Sequence, residues 1–307
     1  MRVIYLGTPE FAVPPLKAII ESEGHTVVGV VTQPDRPVGR KNIITPPPVK
    51  VVATSYGIPV FQYEKISKEG KEDLKSLDAD IMITCAYGQI LSREIIDICP
   101  KGIINIHASL LPKYRGAAPI QYAVINGEKT TGVTIMQTEE GLDTGDIIDV
   151  FETEIGDSET AGELSVRLSN LGAENICKTL DKIERGIETR TKQDESLASL
   201  VKTLKKEDAI IDFSQNSETV KNKINGLNPW PVAYALFGGK KIKIYRAKLA
   251  DGTGFSGEVI RADKKLFVAC GQGAIEVLEL QEEGGKVMSA GAYLNGRKIK
   301  LGDVLGK

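Results

Sequence analysis

The stretch VIYLGTPEFAVPPLKAIIESEGHTVVGVVT, residues 3–32, decides the fold. It opens with a short apolar run at residues 3–6, continues through a loop into an amphipathic helix, and closes with a β-rich run at residues 26–32. Further β-rich runs, each followed by a loop and an amphipathic segment, occur at residues 80–87 and 102–107. Because this alternation is typical of a mostly parallel sheet covered by helices, we predict an α/β protein with a Rossmann-like first domain.

The loop after the first strand, Gly7-Thr8-Pro9-Glu10-Phe11, stands where a doubly wound fold binds its ligand. It lacks the GxGxxG fingerprint of dinucleotide sites, and no Gly-Lys pair in the chain is followed by Ser or Thr, as a P-loop requires. A nicotinamide cofactor and a P-loop nucleotide are therefore disfavoured. The opening apolar run is too short for a signal peptide or a membrane span, so we expect no membrane partner.

Cysteine and histidine are scarce and scattered. The four cysteines, Cys85, Cys99, Cys177 and Cys270, form no CxxC pair, which favours a reducing compartment, and we predict a cytoplasmic protein. Only two histidines occur, His25 and His107. Because two are too few for a histidine-rich catalytic metal site, we predict no metal.

Charge is divided unevenly along the 307 residues, a length that suits about two domains. The net charge is −2. Residues 1–189 carry 19 Lys and Arg against 27 Asp and Glu, which gives a net charge of −8. Residues 190–307 carry 20 Lys and Arg against 14 Asp and Glu, which gives +6. The basic half consists of short β-rich runs separated by glycine turns, which indicates a small barrel of the oligonucleotide-binding (OB) type. We predict a first domain at residues 1–187, a polar linker at 188–206 and an OB-like domain at 207–307.

The residues with the clearest chemistry lie at the end of the run at residues 102–107. Asn105 and His107 are two positions apart on a predicted strand, so their side chains leave the same face roughly 7 Å apart, at the carboxyl end where open α/β sheets bind ligands. An amide and an imidazole on an otherwise apolar strand need partners, since each costs about 1 to 3 kcal/mol if buried without one. A lone histidine in such a place more often bonds the loop backbone than acts in catalysis.

The segment Gly141-Leu142-Asp143-Thr144-Gly145-Asp146 changes that preference, because it adds two carboxylates in a loop that its glycines allow to be tight. Either Asp143 or Asp146 can reach His107, and the spacing does not choose between them. A histidine beside a carboxylate can shuttle protons near neutral pH, and an asparagine amide can donate to a developing oxyanion. Together these groups suit transfer of an acyl group to an amine by direct attack, because no activated nucleophile accompanies them.

Three blocks of sequence in this region resemble the signature of enzymes that transfer a formyl group from 10-formyltetrahydrofolate. The blocks are NIHASLLP at residues 105–112, YRGAAPIQ at residues 114–121 and GLDTGD at residues 141–146. Three further segments resemble the members of this formyltransferase family that act on methionyl-initiator tRNA, so the likeness spans essentially the whole chain. These segments are GTPEFA at residues 7–12, TQPDRP at residues 32–37 and GLNPWP at residues 226–231.

The resemblance implies a role for each matched position. Asn105, His107 and Asp143 are implied to be the catalytic group. The residues implied to line the folate site are Ser109, Leu110, Leu111 and Pro112. In the implied reaction, the free α-amine of methionyl-tRNA attacks the formyl carbon on N10 of the folate, Asn105 and protonated His107 stabilise the oxyanion, and Asp143 orients His107. The donor then leaves as tetrahydrofolate.

A Pro-rich basic insertion at residues 34–48, which cannot be core, carries Arg36, Arg40 and Lys41. It resembles the loop with which this family engages the acceptor end of the initiator tRNA. The family usually has a glycine and then two lysines after the arginine, whereas this chain reads Arg40-Lys41-Asn42. Arg40 is therefore the position that the resemblance carries over most directly.

The basic second domain adds to the expectation of an RNA partner. Residues 202–248 hold ten Lys and Arg against four Asp and Glu. We predict that this surface follows the tRNA backbone and that Lys205 and Lys206 contact it.

Other acceptors use a similar catalytic group. An amino sugar nucleotide is the main alternative, and formyltransferases of glycinamide ribonucleotide and a hydrolase of formyl-folate also resemble this chain. The basic, barrel-like second domain favours tRNA among them. A non-catalytic tRNA-binding protein is the competing class, and it has no need for Asn105, His107 and Asp143 together. No obligate protein partner is evident from the sequence.

Overall fold

The computed structural model describes residues 1–39, 41–296 and 298–306, and the chain forms two compact units. The first unit comprises Met1–Gly116, Gly132–Thr153 and Ser165–Leu200. The second comprises Ala117–Thr131, Glu154–Leu164 and Val201–Lys307. It therefore includes two segments from residues 1–187, the predicted first domain, which the sequence patterns do not predict. Within the described ranges, no helix combines the length and the apolar character needed to cross a bilayer.

Strands and helices are numbered in chain order. The first part of the chain forms β1 (Arg2–Gly7), α1 (Val13–Ile20), β2 (Thr26–Thr32), β3 (Arg36–Val38), β4 (Ile43–Thr45), α2 (Pro48–Ser55), β5 (Val60–Gln62), α3 (Ile66–Glu69), α4 (Lys71–Ser76), β6 (Ile81–Cys85), α5 (Arg93–Ile96), β7 (Ile103–His107), β8 (Arg115–Gly116), α6 (Pro119–Ile125), β9 (Thr130–Gln137), β10 (Ile147–Glu154) and α7 (Ala161–Arg185). The remainder forms β11 (Leu200–Val201), α8 (Ser217–Gly226), β12 (Tyr234–Phe237), β13 (Lys240–Ala250), β14 (Val259–Ala262), β15 (Leu266–Ala269), β16 (Ala274–Glu282), β17 (Met288–Ser289) and α9 (Ala290–Leu294).

A seven-stranded sheet in the order β10-β9-β7-β6-β1-β2-β5 forms the centre of the first unit. Neighbouring strands from β7 to β5 run parallel, whereas β9 runs antiparallel to β7, so the sheet is mixed. Strand β6, with the sequence IMITC, is buried at every position, as expected of an apolar run in the middle of a parallel sheet. The α/β class and the mostly parallel first sheet are confirmed.

This topology places the end of β7 at the edge of the sheet where α/β proteins bind ligands. Thr84 on β6 is in register with Asn105, and Thr134 on β9 is in register with His107. Polar side chains from three neighbouring strands therefore lie side by side at one end of an otherwise apolar sheet.

The Pro-rich insertion forms a small antiparallel hairpin of β3 and β4. Every residue of both strands is exposed, including the apolar Val38, Ile43 and Ile44. The two strands of the hairpin therefore lie on the surface of the first unit, in keeping with the expectation that the insertion is not core.

A curled antiparallel sheet in the order β12-β13-β16-β15-β14, with β17 paired to β16, forms the second unit. Strand β13 is 11 residues long, and its register against β16 shifts between Ile244 and Ala247. Such irregularities bend a strand and increase its twist. Since β12 and β14 are the outer strands in the described part of the chain, the sheet forms an open half-barrel where the sequence predicted a small OB-like barrel.

Helix α6 belongs to the second unit, where it packs on α8. A Cβ atom at Gly226 would lie 2.5 Å from Cγ1 of Ile125 and 3.0 Å from the carbonyl oxygen of Gln121. Glycine is therefore the residue that permits this close approach of the two helices. Ala118, just before α6, lies in the same buried core as Ala235 of β12. The GLNPWP segment thus begins at Gly226, the residue at which α6 packs closely on α8.

The segment at residues 188–206, predicted to be a polar linker, is bonded to the first unit along its first part. The backbones of Thr191 and Ile147 exchange two hydrogen bonds, of 2.8 and 2.9 Å. The carbonyl oxygen of Ser199 accepts a hydrogen bond of 2.8 Å from the N–H of Arg115. The domain boundaries at 187 and 207 stay a prediction.

We expect Ile83→Ala on β6 to lower the free energy of unfolding of the first unit by about 2 to 5 kcal/mol, because Ile83 is fully buried and its truncation leaves a cavity. Val166→Ala on α7 is the matched control, since Val166 is 63% exposed, and it should change this free energy by less than about 0.5 kcal/mol. Urea unfolding followed by far-UV circular dichroism measures both. Equal effects of the two substitutions would contradict the central place of β6.

Candidate active site

The amide of Asn105 is oriented by the neighbouring strand and by a carboxylate. Thr84 Oγ1 donates to Asn105 Oδ1 at 2.9 Å, and Asn105 Nδ2 donates to Asp143 Oδ1 at 3.4 Å. Since an ionised carboxylate only accepts hydrogen bonds, this arrangement fixes which side of the amide carries the NH2 group. One N–H of Asn105 is left for a substrate oxygen.

The imidazole of His107 is buried, with 6% of the residue exposed, and it is held through one nitrogen. Its Nε2 lies 3.0 Å from the carbonyl oxygen of Tyr114, which can only accept, so Nε2 carries a proton. The other nitrogen, Nδ1, lies 3.7 Å from Asp143 Oδ2. Nδ1 is therefore the atom of His107 that can gain or lose a proton during a reaction.

Asp143 is the carboxylate that the structure places beside His107. Its Oδ2 also accepts a hydrogen bond of 2.8 Å from the N–H of Gly116. At 3.7 Å the contact with His107 suits an ion pair but is too long for a hydrogen bond, so the Tyr114 carbonyl holds the ring more directly than Asp143 does. Asp146, the other carboxylate that the sequence leaves open, forms no ion pair with His107 among the described residues.

The four residues expected to line the folate site form the turn after β7. Ser109 is fully buried, and its Oγ donates to the carbonyl oxygen of Lys113 at 2.7 Å. Leu111 is buried as well, whereas Leu110 and Pro112 are only half-buried. In this conformation Leu110 and Pro112 offer surface to a ligand, and Ser109 stabilises the turn that presents them.

Two cations of the basic insertion, Arg36 and Lys41, lie at the surface of the first unit. Arg36 on β3 forms an ion pair with Glu64, and Lys41 is exposed. Arg40, which the resemblance singles out, lies outside the described residues.

Several of the ten cations at residues 202–248 are already engaged within the second unit. They are Lys221 with the carbonyl oxygen of Asp157, Lys240 with Glu282, Arg246 with Glu163 and Lys248 with Glu276. Lys205 and Lys206, by contrast, are exposed and form no ion pair within the ranges that the structure describes. Their ammonium groups are therefore available to a phosphate.

Three contacts of the expected catalytic group were not predicted from the sequence. They are the hydroxyl of Thr84, the carbonyl of Tyr114 and the N–H of Gly116. Thr84 carries a signal that could have been used, because it is a polar residue on the apolar strand β6, as Asn105 is on β7. The two backbone contacts carry none, since every residue has a carbonyl group and nearly every residue has an N–H.

One group of described residues could offer ligands to a metal ion. It consists of His25, Asp181 and Glu184, whose ligand atoms lie within 4.8 Å of one another. The amino group of Met1 lies 3.3 Å from His25 Nδ1 and 3.3 Å from Glu184 Oε1. The cluster therefore already contains a cation, and none of its residues belongs to the catalytic group.

We expect Gly145→Ala to reduce the kcat of the formyl transfer that the sequence resemblance implies by at least about a hundredfold, because it displaces the loop that carries Asp143. A Cβ atom at Gly145 would lie 1.8 Å from the carbonyl oxygen of Gln137, a backbone atom that cannot rotate away. Gly24→Ala is the control, since the nearest atom to its Cβ would be 3.7 Å away. Steady-state rates of the purified variants test this, and a Gly145→Ala variant with unchanged kcat would contradict the described loop.

Comparisons with known proteins cover the whole chain. The sequence profile of the formyl transferase family matches residues 1–180, and the profile of the formyl transferase C-terminal domain matches residues 203–298. The methionyl-tRNA formyltransferase of Citrifermentans bemidjiense is 46% identical over 309 residues, which cover 100% of this chain and 97% of that protein. The methionyl-tRNA formyltransferase of Geotalea uraniireducens is 48% identical, with 100% and 98% covered.

Solved structures share the fold at low sequence identity. WlaRD, a sugar 3N-formyl transferase crystallised with dTDP and 5-N-formyl-THF, matches 92% of this chain and 97% of its own with a TM-score of 0.70 and 19% identity. The N-formyltransferase of Helicobacter canadensis, in complex with folinic acid and dTDP-3-aminofucose, matches 90% and 98% with a TM-score of 0.69 and 19% identity. Both family profiles and the full-length relatives agree, and the chain belongs to the formyl transferase family, among the methionyl-tRNA formyltransferases.

Proposed function

We propose that the protein transfers the formyl group of 10-formyltetrahydrofolate to the free α-amino group of methionyl-initiator tRNA, which prepares this tRNA for translation initiation. The observation that carries the proposal is the meeting of Asn105, His107 and Asp143 at the end of β7. The choice of acceptor is supported by 46% and 48% identity to methionyl-tRNA formyltransferases over the whole chain.

Asn105 and His107 are placed to stabilise the charge that develops in the reaction. As the amine nitrogen bonds to the formyl carbon, the formyl oxygen becomes negative. The free N–H of Asn105 and a protonated Nδ1 of His107 can both donate to it, and donors that are already in place lower the barrier most. The Asp143 carboxylate, 3.7 Å from Nδ1, stabilises the imidazolium form of His107.

His107 also provides a path for the proton. The attacking amine must lose a proton, and N10 of the folate must gain one before the donor leaves as tetrahydrofolate. Nδ1 is the exchangeable nitrogen of His107 and begins protonated, so it can first supply its proton to N10 and then accept the proton that the amine loses, which restores the starting state. Direct attack needs no protein nucleophile, and Cys85, at the end of the neighbouring strand β6, is poorly suited as one because burial raises the pKa of its thiol to about 12.

The two ligands are assigned to separate surfaces. The half-buried Leu110 and Pro112 supply apolar contact for the folate, in a turn held by Ser109 and Leu111. The tRNA-binding residues that we propose are Arg36, Arg40 and Lys41 of the insertion and Lys205 and Lys206 of the second half. We retain the division into a formyltransferase domain at residues 1–187, a linker at 188–206 and an OB-like tRNA-binding domain at 207–307. We also place the protein in the cytoplasm, because its free thiols suit the reducing conditions there.

One assay tests the acceptor. Labelled 10-formyltetrahydrofolate is offered with charged initiator tRNA, with an amino sugar nucleotide, or with water alone. We expect labelled formylmethionyl-tRNA as the product. Label on the sugar, or free formate only, would overturn the proposed function.

We expect His107→Ala and Asp143→Ala each to reduce single-turnover formyl transfer by about a hundredfold or more, because each removes a group that stabilises or moves charge in the transition state. Asp146→Asn is the matched control, since this neighbouring carboxylate forms no ion pair with His107 among the described residues. Circular dichroism checks that all three variants fold. Rates near that of the unaltered protein for either alanine variant would refute the assignment.

We expect the affinity for tRNA to fall steeply as salt rises, and the double variant Lys205→Gln, Lys206→Gln to weaken this dependence. Removing one lysine–phosphate interaction should reduce the slope of log affinity against log salt by about 0.7 to 0.9. Lys75→Gln on α4 removes an exposed charge of the acidic half and serves as the control. Fluorescence anisotropy of labelled tRNA at several KCl concentrations measures the slopes, and equal slopes for all three proteins would remove these lysines from the interface.

A further inference from the structure

The side-chain amide of Gln193 joins the loop that carries Asp143 to Arg115. Its Nε2 donates to the carbonyl oxygens of Asp143 and Gly145, each at 2.8 Å. Its Oε1 accepts hydrogen bonds of 3.0 and 2.8 Å from Nε and Nη2 of Arg115. The loop backbone is thus tied to a residue 50 positions further along the chain, inside the segment predicted to be a linker.

Arg115 fixes Gln193 in turn. Its side chain is buried and donates to both carboxylate oxygens of Glu195, at 2.9 and 2.8 Å, in a two-pronged ion pair. The Glu195 carboxylate raises the pKa of Arg115, and Arg115 lowers the pKa of the Glu195 carboxyl group. Both groups therefore remain charged at neutral pH, and the orientation of the guanidinium toward Gln193 is kept.

These contacts close a ring around the catalytic carboxylate. Gly116 follows Arg115 in the chain, and its N–H holds Asp143 Oδ2, while Gln193 holds the carbonyl oxygen of the same aspartate. Asp143 has a φ of +52°, in the left-handed region that residues other than glycine seldom occupy. A residue in such a conformation is kept there by the contacts around it, so removal of one of these hydrogen bonds should let the loop change its conformation.

We propose that Gln193 is a positioning residue for formyl transfer, which fixes the loop conformation that keeps Asp143 beside Nδ1 of His107. This inference rests on the proposed function. The role requires two N–H donors and one carbonyl acceptor in a single planar group. Methionine has the length but lacks the donors, and glutamate would turn a carboxylate oxygen toward two carbonyl oxygens.

Gln193→Met tests the proposal by kinetics. We expect kcat to fall by about tenfold to a hundredfold, while the KM values for methionyl-tRNA and for the folate donor stay within about twofold, because Gln193 acts on the catalytic loop and not on a substrate. In an Asp143→Asn background the same change should have little further effect. Ser196→Ala is the matched control in the same segment, since Ser196 is exposed and bonds Asp194, away from the loop.

Histidine NMR provides a readout that needs no substrate. The chain has only two histidines, so ring-labelled protein gives two imidazole signals, which His107→Gln assigns. We expect the His107 signal to shift or broaden in Gln193→Met, while the signal of His25, which contacts Met1 and Asp181, stays in place. Gln193→Glu keeps the shape of the side chain and is used in the same way if the methionine variant does not fold.

An unchanged kcat or an unmoved His107 signal in a folded Gln193 variant would overturn the proposal. Equal movement of both histidine signals would also overturn it, because that result would indicate a general loss of structure. Failure of the unaltered protein to formylate methionyl-tRNA would overturn the proposed function instead, and the NMR comparison would still report on the contact between Gln193 and the loop.

Discussion

The need of an amide and an imidazole on an apolar strand for hydrogen-bond partners is the constraint on which the rest of the site depends. At the end of β7, His107 is buried and Asn105 is half-buried, so the protein supplies most of the partners of these two side chains. Thr84 meets this need from the adjacent strand, and the carbonyl of Tyr114 meets it from the turn after β7. The path of the chain beyond this strand is thus set by the hydrogen bonds that these two side chains require.

Backbone groups and side-chain groups have different roles in the candidate site. The backbone carbonyl of Tyr114 holds His107 and the N–H of Gly116 holds Asp143, while the N–H of Tyr114 donates to Ser199 Oγ at 2.8 Å. The groups that this arrangement leaves for the proposed reaction are one N–H of Asn105 and Nδ1 of His107.

Features that depend on periodicity could be predicted from the sequence. Side chains alternate along a strand, so Asn105 and His107 had to share a face, and the alternation of β-rich and helical segments predicted a parallel sheet with its ligand at the carboxyl ends. Gln193 could not be found in this way, because it lies in a stretch without periodicity and bonds backbone carbonyls. The place of helix α6 in the second unit could not be predicted either, since nothing local in an apolar helix says which sheet it covers.

The segments of the two units alternate along the chain, which passes from one unit to the other after residues 116, 131, 153, 164 and 200. The buried core of the second unit accordingly contains Ala118 beside residues such as Ile224 that lie much later in the sequence. A gene fragment that begins at residue 201 would encode the half-barrel without helix α6, which packs on α8 in the same unit. The second unit is thus not encoded by one continuous stretch of the gene, and a single break in the chain cannot separate it from the first unit.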